Sequence, residues 1–126
     1  MADAAVRVEE IVLEGKDVLF IDFSDLKTCD GFNEVISVIE LIIEKYRGRP
    51  LYTISNVENI RFDSNVKSVI AEYLKRSHPY ITYGAIYGVD GVKKLMISTM
   101  IRAAGCENIH FAFTKEQAIA WLMKQS

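Results

Sequence analysis

Hydrophobic and polar positions alternate along the chain in two distinct rhythms, and the rhythm changes several times. The first structured stretch has the short period of β structure. Val6-Arg7-Val8 through Ile11-Val12-Leu13 is followed by Glu14-Gly15-Lys16-Asp17 and then by Val18-Leu19-Phe20-Ile21-Asp22-Phe23. Two β-rich runs around a Gly-containing polar break predict a hairpin. A helical rhythm follows from about Asp30 to Tyr46, where Phe32, Val35, Ile36, Ile39, Ile42, Ile43 and Tyr46 make one stripe. Asp30 is the expected cap, and Gly48 with Pro50 ends the helix. Leu51 to Val57 reads as a short strand. A second helix is expected from Ser64 to Ser77, with Val66, Val69, Ile70, Tyr73 and Leu74 inward and Asp63 or Ser64 as cap. His78-Pro79 stops it, because the residue before proline avoids the helical region.

Tyr80 to Val89 is apolar on both faces and is expected to be the longest strand, central and parallel. Asp90 opens a third helix that ends at Gly105. Ile109 to Phe113 is the last strand, and Thr114-Lys115-Glu116-Gln117 is a capping-box pattern opening a fourth helix with Ala118, Trp121 and Leu122 inward. The order is ββαβαβαβα. Short connections and right-handed crossovers then give an α/β fold: a mixed, mostly parallel five-stranded sheet with an N-terminal hairpin and four helices. Ile21, Ile54, Ile86 and Phe111 are expected in the sheet core, beneath the Phe32-to-Tyr46 stripe. Without a linker, repeat or low-complexity tract, residues 1–126 read as a single domain.

Composition narrows the functional classes. Half of the 126 residues are hydrophobic and a quarter are charged, as in a globular protein. A formal charge of −2 and the absence of a basic stripe argue against nucleic-acid binding. The opening Met1-Ala2-Asp3-Ala4-Ala5 lacks a signal-peptide pattern, and no apolar run is long enough to span a bilayer. Cys29 and Cys106 stand far apart with no CxxC, which fits a reducing cytoplasmic setting and small buried or half-buried thiols. His78 and His110 have no partner at metal-ligand spacing, and no metal or cofactor is expected. Asp22 and Asp25 flank Ser24 at a strand end, where such residues usually satisfy turn backbones. No GxSxG, HExxH or Ser/His/Asp order is present, so no catalytic residue is assigned and enzymatic activity is not expected.

The segment 51–74, with Leu-Tyr-Thr-Ile-Ser-Asn-Val leading to Asp63-Ser64-Asn65-Val66 and a helix, resembles the strand–loop–helix of STAS domains, the SpoIIAA-like fold. The tail from Ile109, Ile-His-Phe-Ala-Phe-Thr-Lys-Glu-Gln-Ala-Ile-Ala-Trp-Leu, is similar to that family's closing strand and helix. Ala85-Ile86-Tyr87-Gly88-Val89-Asp90-Gly91-Val92-Lys93-Lys94 resembles its SpoIIAA-like branch. The resemblance implies the same fold, and a regulatory module that binds a protein partner. In the family's antagonists the second Ser of Asp-Ser-Ser-Gly accepts a phosphate. Here Asp63 and Ser64 match the first two positions, whereas Asn65 replaces the acceptor and Val66 the Gly. Asn has no hydroxyl to phosphorylate, so the resemblance does not extend to the serine switch.

Three places are candidates for function. Asp63, Ser64 and Asn65 form a regulatory or partner loop, with an ordinary helix cap as the alternative for Ser64. Gly88, Asp90, Gly91 and Lys93 follow a strand and open a helix, where an anion or other ligand could sit; a simple strand–helix turn is the alternative. On the third helix, Val92, Leu95, Met96 and Ala103 make the expected inward stripe. Ile97, Met100 and Ile101, with Ala104, widen the apolar arc and form a candidate interface, unless the helix is buried on a broader front. The leading expectation is a non-catalytic interaction module that binds a protein partner or itself. The alternative is a carrier of a small or lipid-like molecule, which requires a closed apolar pocket of about 300 Å³ or more.

Overall fold

The computed structural model describes residues 4–125. The reading of the opening residues as free of a signal pattern therefore begins outside the described residues. A 3₁₀ turn over Ala4–Arg7 stands where the first β residues were expected. Strands β1 (Val8–Leu13) and β2 (Lys16–Asp22) follow as an antiparallel hairpin. Its two-residue turn holds Glu14 at φ 49° and Gly15 at φ 81°. Positive φ at both positions is the type I′ geometry, whose twist matches that of the flanking strands.

Helix α1 (Cys29–Glu44) is capped by Thr28 rather than Asp30: the Thr28 side chain accepts a hydrogen bond from Gly31 N–H at 3.0 Å. Asp30 lies in the first turn instead, where its charge faces the helix dipole favourably. Then come β3 (Tyr52–Asn56), α2 (Ser64–Ser77), β4 (Tyr83–Tyr87), α3 (Gly91–Ala103), β5 (Ile109–Ala112) and α4 (Lys115–Met123). Strand β4 has five residues and is shorter than β2, because His78–Tyr80 forms a 3₁₀ turn and Val89 belongs to the loop. Thr114 caps α4 by accepting from Gln117 N–H, while the Gln117 side chain reaches back to accept from Phe113 N–H, one residue before the cap whose N–H a standard capping box would use.

The strands lie side by side in chain order, β1-β2-β3-β4-β5, with β2 to β5 mutually parallel. Strand alternation divides the side chains between two layers. On one face, Leu19 and Ile21 of β2 join Phe32, Val35, Ile36 and Ile39 of α1, Val66 and Leu74 of α2, and Ile97 and Ile101 of α3. On the other, Val18, Tyr52, Ile54 and Ala85 are closed off by Ala118 and Leu122 of α4. Ile21 and Ile54 are thus both core residues but on opposite faces. The α1 stripe covers Ile21, while Ile54 lies beneath α4. Ile86 and Phe111 are half-buried against the α1–α3 layer. Gly84 permits a close approach within that layer, since a Cβ there would stand 2.7 Å from Thr53 Oγ1 and 2.9 Å from Ile109 Cδ1. Among the described helices, none is long and apolar enough to cross a membrane.

Candidate functional site

The loops that leave β2, β3 and β4 meet at the carboxyl ends of the parallel strands, where open α/β sheets present their ligand sites. They are joined by backbone bonds: Asp25 N–H to the Glu58 carbonyl at 3.0 Å, Arg61 N–H to the Leu26 carbonyl at 2.9 Å, and Val57 N–H to the Tyr87 carbonyl at 3.0 Å. Side chains reinforce the junction. Asn59 donates to Asp25 Oδ1 at 2.8 Å, and Lys27 Nζ donates to the Asn59 carbonyl at 2.7 Å. Asp25 and Asn59 both adopt positive φ, 64° and 56°, as short polar side chains do in such turns. Asp22 Oδ1 accepts from the backbone N–H and hydroxyl of Ser24. Asp22 thus satisfies a turn backbone, as its position in the sequence suggests, whereas the Asp25 carboxylate accepts from Asn59 across the loops.

Asp63 caps α2, its Oδ1 accepting from Val66 N–H at 2.9 Å. The cap belongs to Asp63, so Ser64 is released from that task. Ser64 and Asn65 are exposed on the first turn of α2. Ser64, Lys67, Ser68 and Ala71 line a shallow groove of about 330 Å³ between α2 and α3, and Met100 of α3 forms its opposite wall. The fold thus brings Ser64 and Met100, drawn from two separate candidate sets, to one surface.

Ile97 and Ile101 do not join them. They are 4% and 7% exposed and belong to the core, whereas Val92 and Leu95, expected inward, are 73% and 68% exposed. The candidate interface of Ile97, Met100 and Ile101 is corrected accordingly: only Met100 reaches the groove. Lys93 lies on the same face, one turn before Ile97 and two before Ile101, and its Nζ donates to the Ile60 carbonyl at 2.6 Å.

The Gly88–Lys93 turn packs against the β3–α2 loop. Gly88 is left-handed at φ 89°, and a Cβ there would collide with Glu58. Asp90 stands at the N-cap position without a side-chain cap bond, and Gly91 is also at positive φ, 35°. Lys93 already serves the Ile60 carbonyl, so it is held by the fold rather than offered to an anion.

A second cleft, on the α4 side of the strand ends, was not singled out from sequence. Asp22, Asn56 and Tyr87 are paired in register across β2, β3 and β4. With Arg7, Phe20 and Lys115 they line an open space of about 320 Å³. Arg7 donates to the carbonyls of Asp22 and Ser24 at 3.0 and 2.8 Å. The Lys115 ammonium lies 4.7 Å from the centre of the Phe20 ring. Partial burial pushes the Tyr87 phenol above its usual range, helped by the negative charges of Glu58, Asp22 and Glu116. The available signal was a polar residue ending each apolar strand run, and it becomes visible only once the strands are aligned.

The apolar interior holds a cavity of about 70 Å³ between the sheet and helices α1 to α3, bordered by Thr53, Tyr73, Ser77 and Ile97. That is well below the roughly 300 Å³ of a small-molecule pocket.

A solved structure of an anti-sigma-factor antagonist (STAS) domain protein from Planctomyces limnophilus superposes on 90% of this chain and 96% of its own, with a TM-score of 0.53 and 16% sequence identity. No protein-family model matches the sequence, and no curated protein matches it. The chain has the STAS/SpoIIAA-like fold: among the described residues, a five-stranded mixed sheet with four α-helices in the order the sequence indicates.

Proposed function

We propose that this chain is a non-catalytic, single-domain regulatory module that works in the cytoplasm by binding a protein partner. The partner docks across the α2–α3 groove and the adjoining Asp63-Ser64-Asn65 turn. The observation that carries the reading is the meeting of Ser64 and Met100 in one open groove beside loops joined by backbone hydrogen bonds. Met adapts to varied apolar surfaces, and a polar rim around an apolar centre is the usual anatomy of an interface. Lys67 adds a charge to the rim that an acidic partner surface would meet. Cys29 and Cys106 are both free thiols, in keeping with a reducing compartment. The carrier reading requires a larger closed pocket than the 70 Å³ cavity offers.

The test is capture of a partner from extract of the source organism, followed by binding measurements on the purified pair. Met100→Glu and Lys67→Glu should each weaken that binding by about tenfold or more while leaving the melting temperature nearly unchanged. Undiminished binding by both variants would remove the groove from the interface.

A further inference from the structure

The sheet has two open edges, and they differ in kind. On β1 the edge carries Glu9 and Glu10 in mid-strand, with Glu10 tied to Lys45 at 3.0 Å and to the Tyr46 hydroxyl at 2.8 Å. Charges in an edge strand resist pairing with another chain. On β5 the edge reads Ile109-His110-Phe111-Ala112, with Phe113 in the bend that follows, and no carboxylate, lysine or proline blocks it.

The backbone of β5 has a definite polarity. Gly84 N–H donates to the Asn108 carbonyl at 3.0 Å, and the register pairs Gly84 with Ile109 and Ile86 with Phe111. In a parallel ladder alternate residues face the neighbouring strand. Asn108, His110 and Ala112 therefore face β4, which directs the N–H and C=O of Ile109 and Phe111 outward. Buried or not, such groups seek partners, and a strand supplies them in register.

The side chains of the same residues form an apolar row on the α3 side of the sheet. Ile109 and Phe111 are half-buried, and Phe113 is 79% exposed. The Lys94 ammonium lies 5.8 Å from the Phe111 ring centre and 5.7 Å from that of Phe113, so one cation holds both rings side by side along the edge.

We propose that the β5 edge pairs with the β5 edge of a second copy of this chain, antiparallel, about a two-fold axis at Phe111. That axis lets the two Phe111 residues exchange reciprocal N–H···O=C bonds, with a flanking bond from each Ile109 N–H toward the opposite Phe113 carbonyl. It also sets Phe111 against Phe111 and Ile109 against Phe113 of the second copy, all on one face, which are the aromatic and aromatic–aliphatic cross-strand pairs that stabilise sheets. Shifting the axis to His110 would set Phe113 opposite Glu107, so side-chain chemistry selects Phe111. Phe113 N–H stays with Gln117, and the capping of α4 is undisturbed. The strand is short, so the contact lies toward the low end of the roughly 800 Å² per partner of a standard interface. The dimer is accordingly reversible and concentration-dependent. It joins two sheets into one, points the two groove faces toward opposite ends, and leaves both free.

The experiment is sedimentation equilibrium of the purified chain from low to several hundred micromolar, with amide exchange followed at both extremes. The expected result is a monomer–dimer equilibrium in which the Ile109 and Phe111 amides gain protection at high concentration. Phe113→Lys changes an exposed ring and spares the core; it should weaken the dimer about tenfold or more without loss of folded structure. Phe111→Pro removes an outward N–H that the β4 ladder does not use, and it should abolish the dimer. A monomer at every concentration overturns the proposal. A dimer whose Ile109 and Phe111 amides exchange as fast as in the monomer, or whose affinity ignores Phe113→Lys, overturns it equally.

Discussion

Replacing Ile97 with Ala tests the rotation of α3 directly. Three carbons are lost from a side chain that is 4% exposed, which forfeits about 2.5 kcal/mol at roughly 0.8 kcal/mol per buried carbon. Ile97 also borders the 70 Å³ cavity, so the space it vacates adds to an existing void instead of collapsing. On the order of 80 Å³ of new void at about 24 cal/mol per Å³ adds about 2 kcal/mol. The total is about 4 kcal/mol, or a melting point lower by about 15 °C for a chain of this size. Leu95→Ala is the matched control: Leu95 is 68% exposed, and its truncation should cost less than about 0.5 kcal/mol. Urea denaturation followed by far-ultraviolet circular dichroism gives both values in one experiment. If Leu95→Ala proves the more costly change, the helix faces the other way and Ile97 returns to the surface.

Other consequences are as concrete. Ile39→Ala, at a fully buried position of the α1 stripe, should lower stability by about 2–5 kcal/mol in the same assay. Asp63→Ala should cost about 1 kcal/mol by removing the cap of α2, and Asp63→Asn should restore most of it. Desolvation raises the pKa of both the Tyr73 phenol and the Cys106 thiol. Both groups hold their protons longer folded than unfolded, so stability should fall as the pH rises above about 9; Tyr73→Phe should flatten the upper part of that decline in pH-dependent urea melts. Incubation with an anti-sigma-type kinase and ATP should leave the intact mass unchanged, since Asn65 occupies the acceptor position; a phosphate appearing on Ser64 would refute that.

The sequence was most legible where local chemistry and tertiary packing agree. Asp63, the α2 boundaries, the Glu14-Gly15 turn and the Thr114–Gln117 box each carry a signal that needs no distant partner. Helix α3 was not legible in the same way. Apolar residues surround it, so periodicity does not select an inward face; the inward face is set by tertiary contacts, the burial of Ile97 and Ile101 in the core and the bond from Lys93 to the Ile60 carbonyl, 33 positions away in sequence. The face of each strand residue was similarly open. Ile21 and Ile54 are both apolar, and only the register of β2 against β3 assigns one to α1 and the other to α4. The Asp22–Asn56–Tyr87 row is a product of that same register, which explains why no single stretch of sequence announced it.

The sequential order of the strands governs how the molecule can be made. Each new strand finds its neighbour in the segment just synthesised, so the sheet can be laid down progressively as the nascent chain leaves the ribosome. Helices α1 to α3 arrive between the strands and cover their own face as it grows. The opposite face has no such escort: Val18, Tyr52, Ile54 and Ala85 accumulate over three strands and wait for Ala118 and Leu122. Until α4 emerges, the incomplete chain therefore carries a bare apolar surface of the kind that makes partly folded chains prone to aggregate.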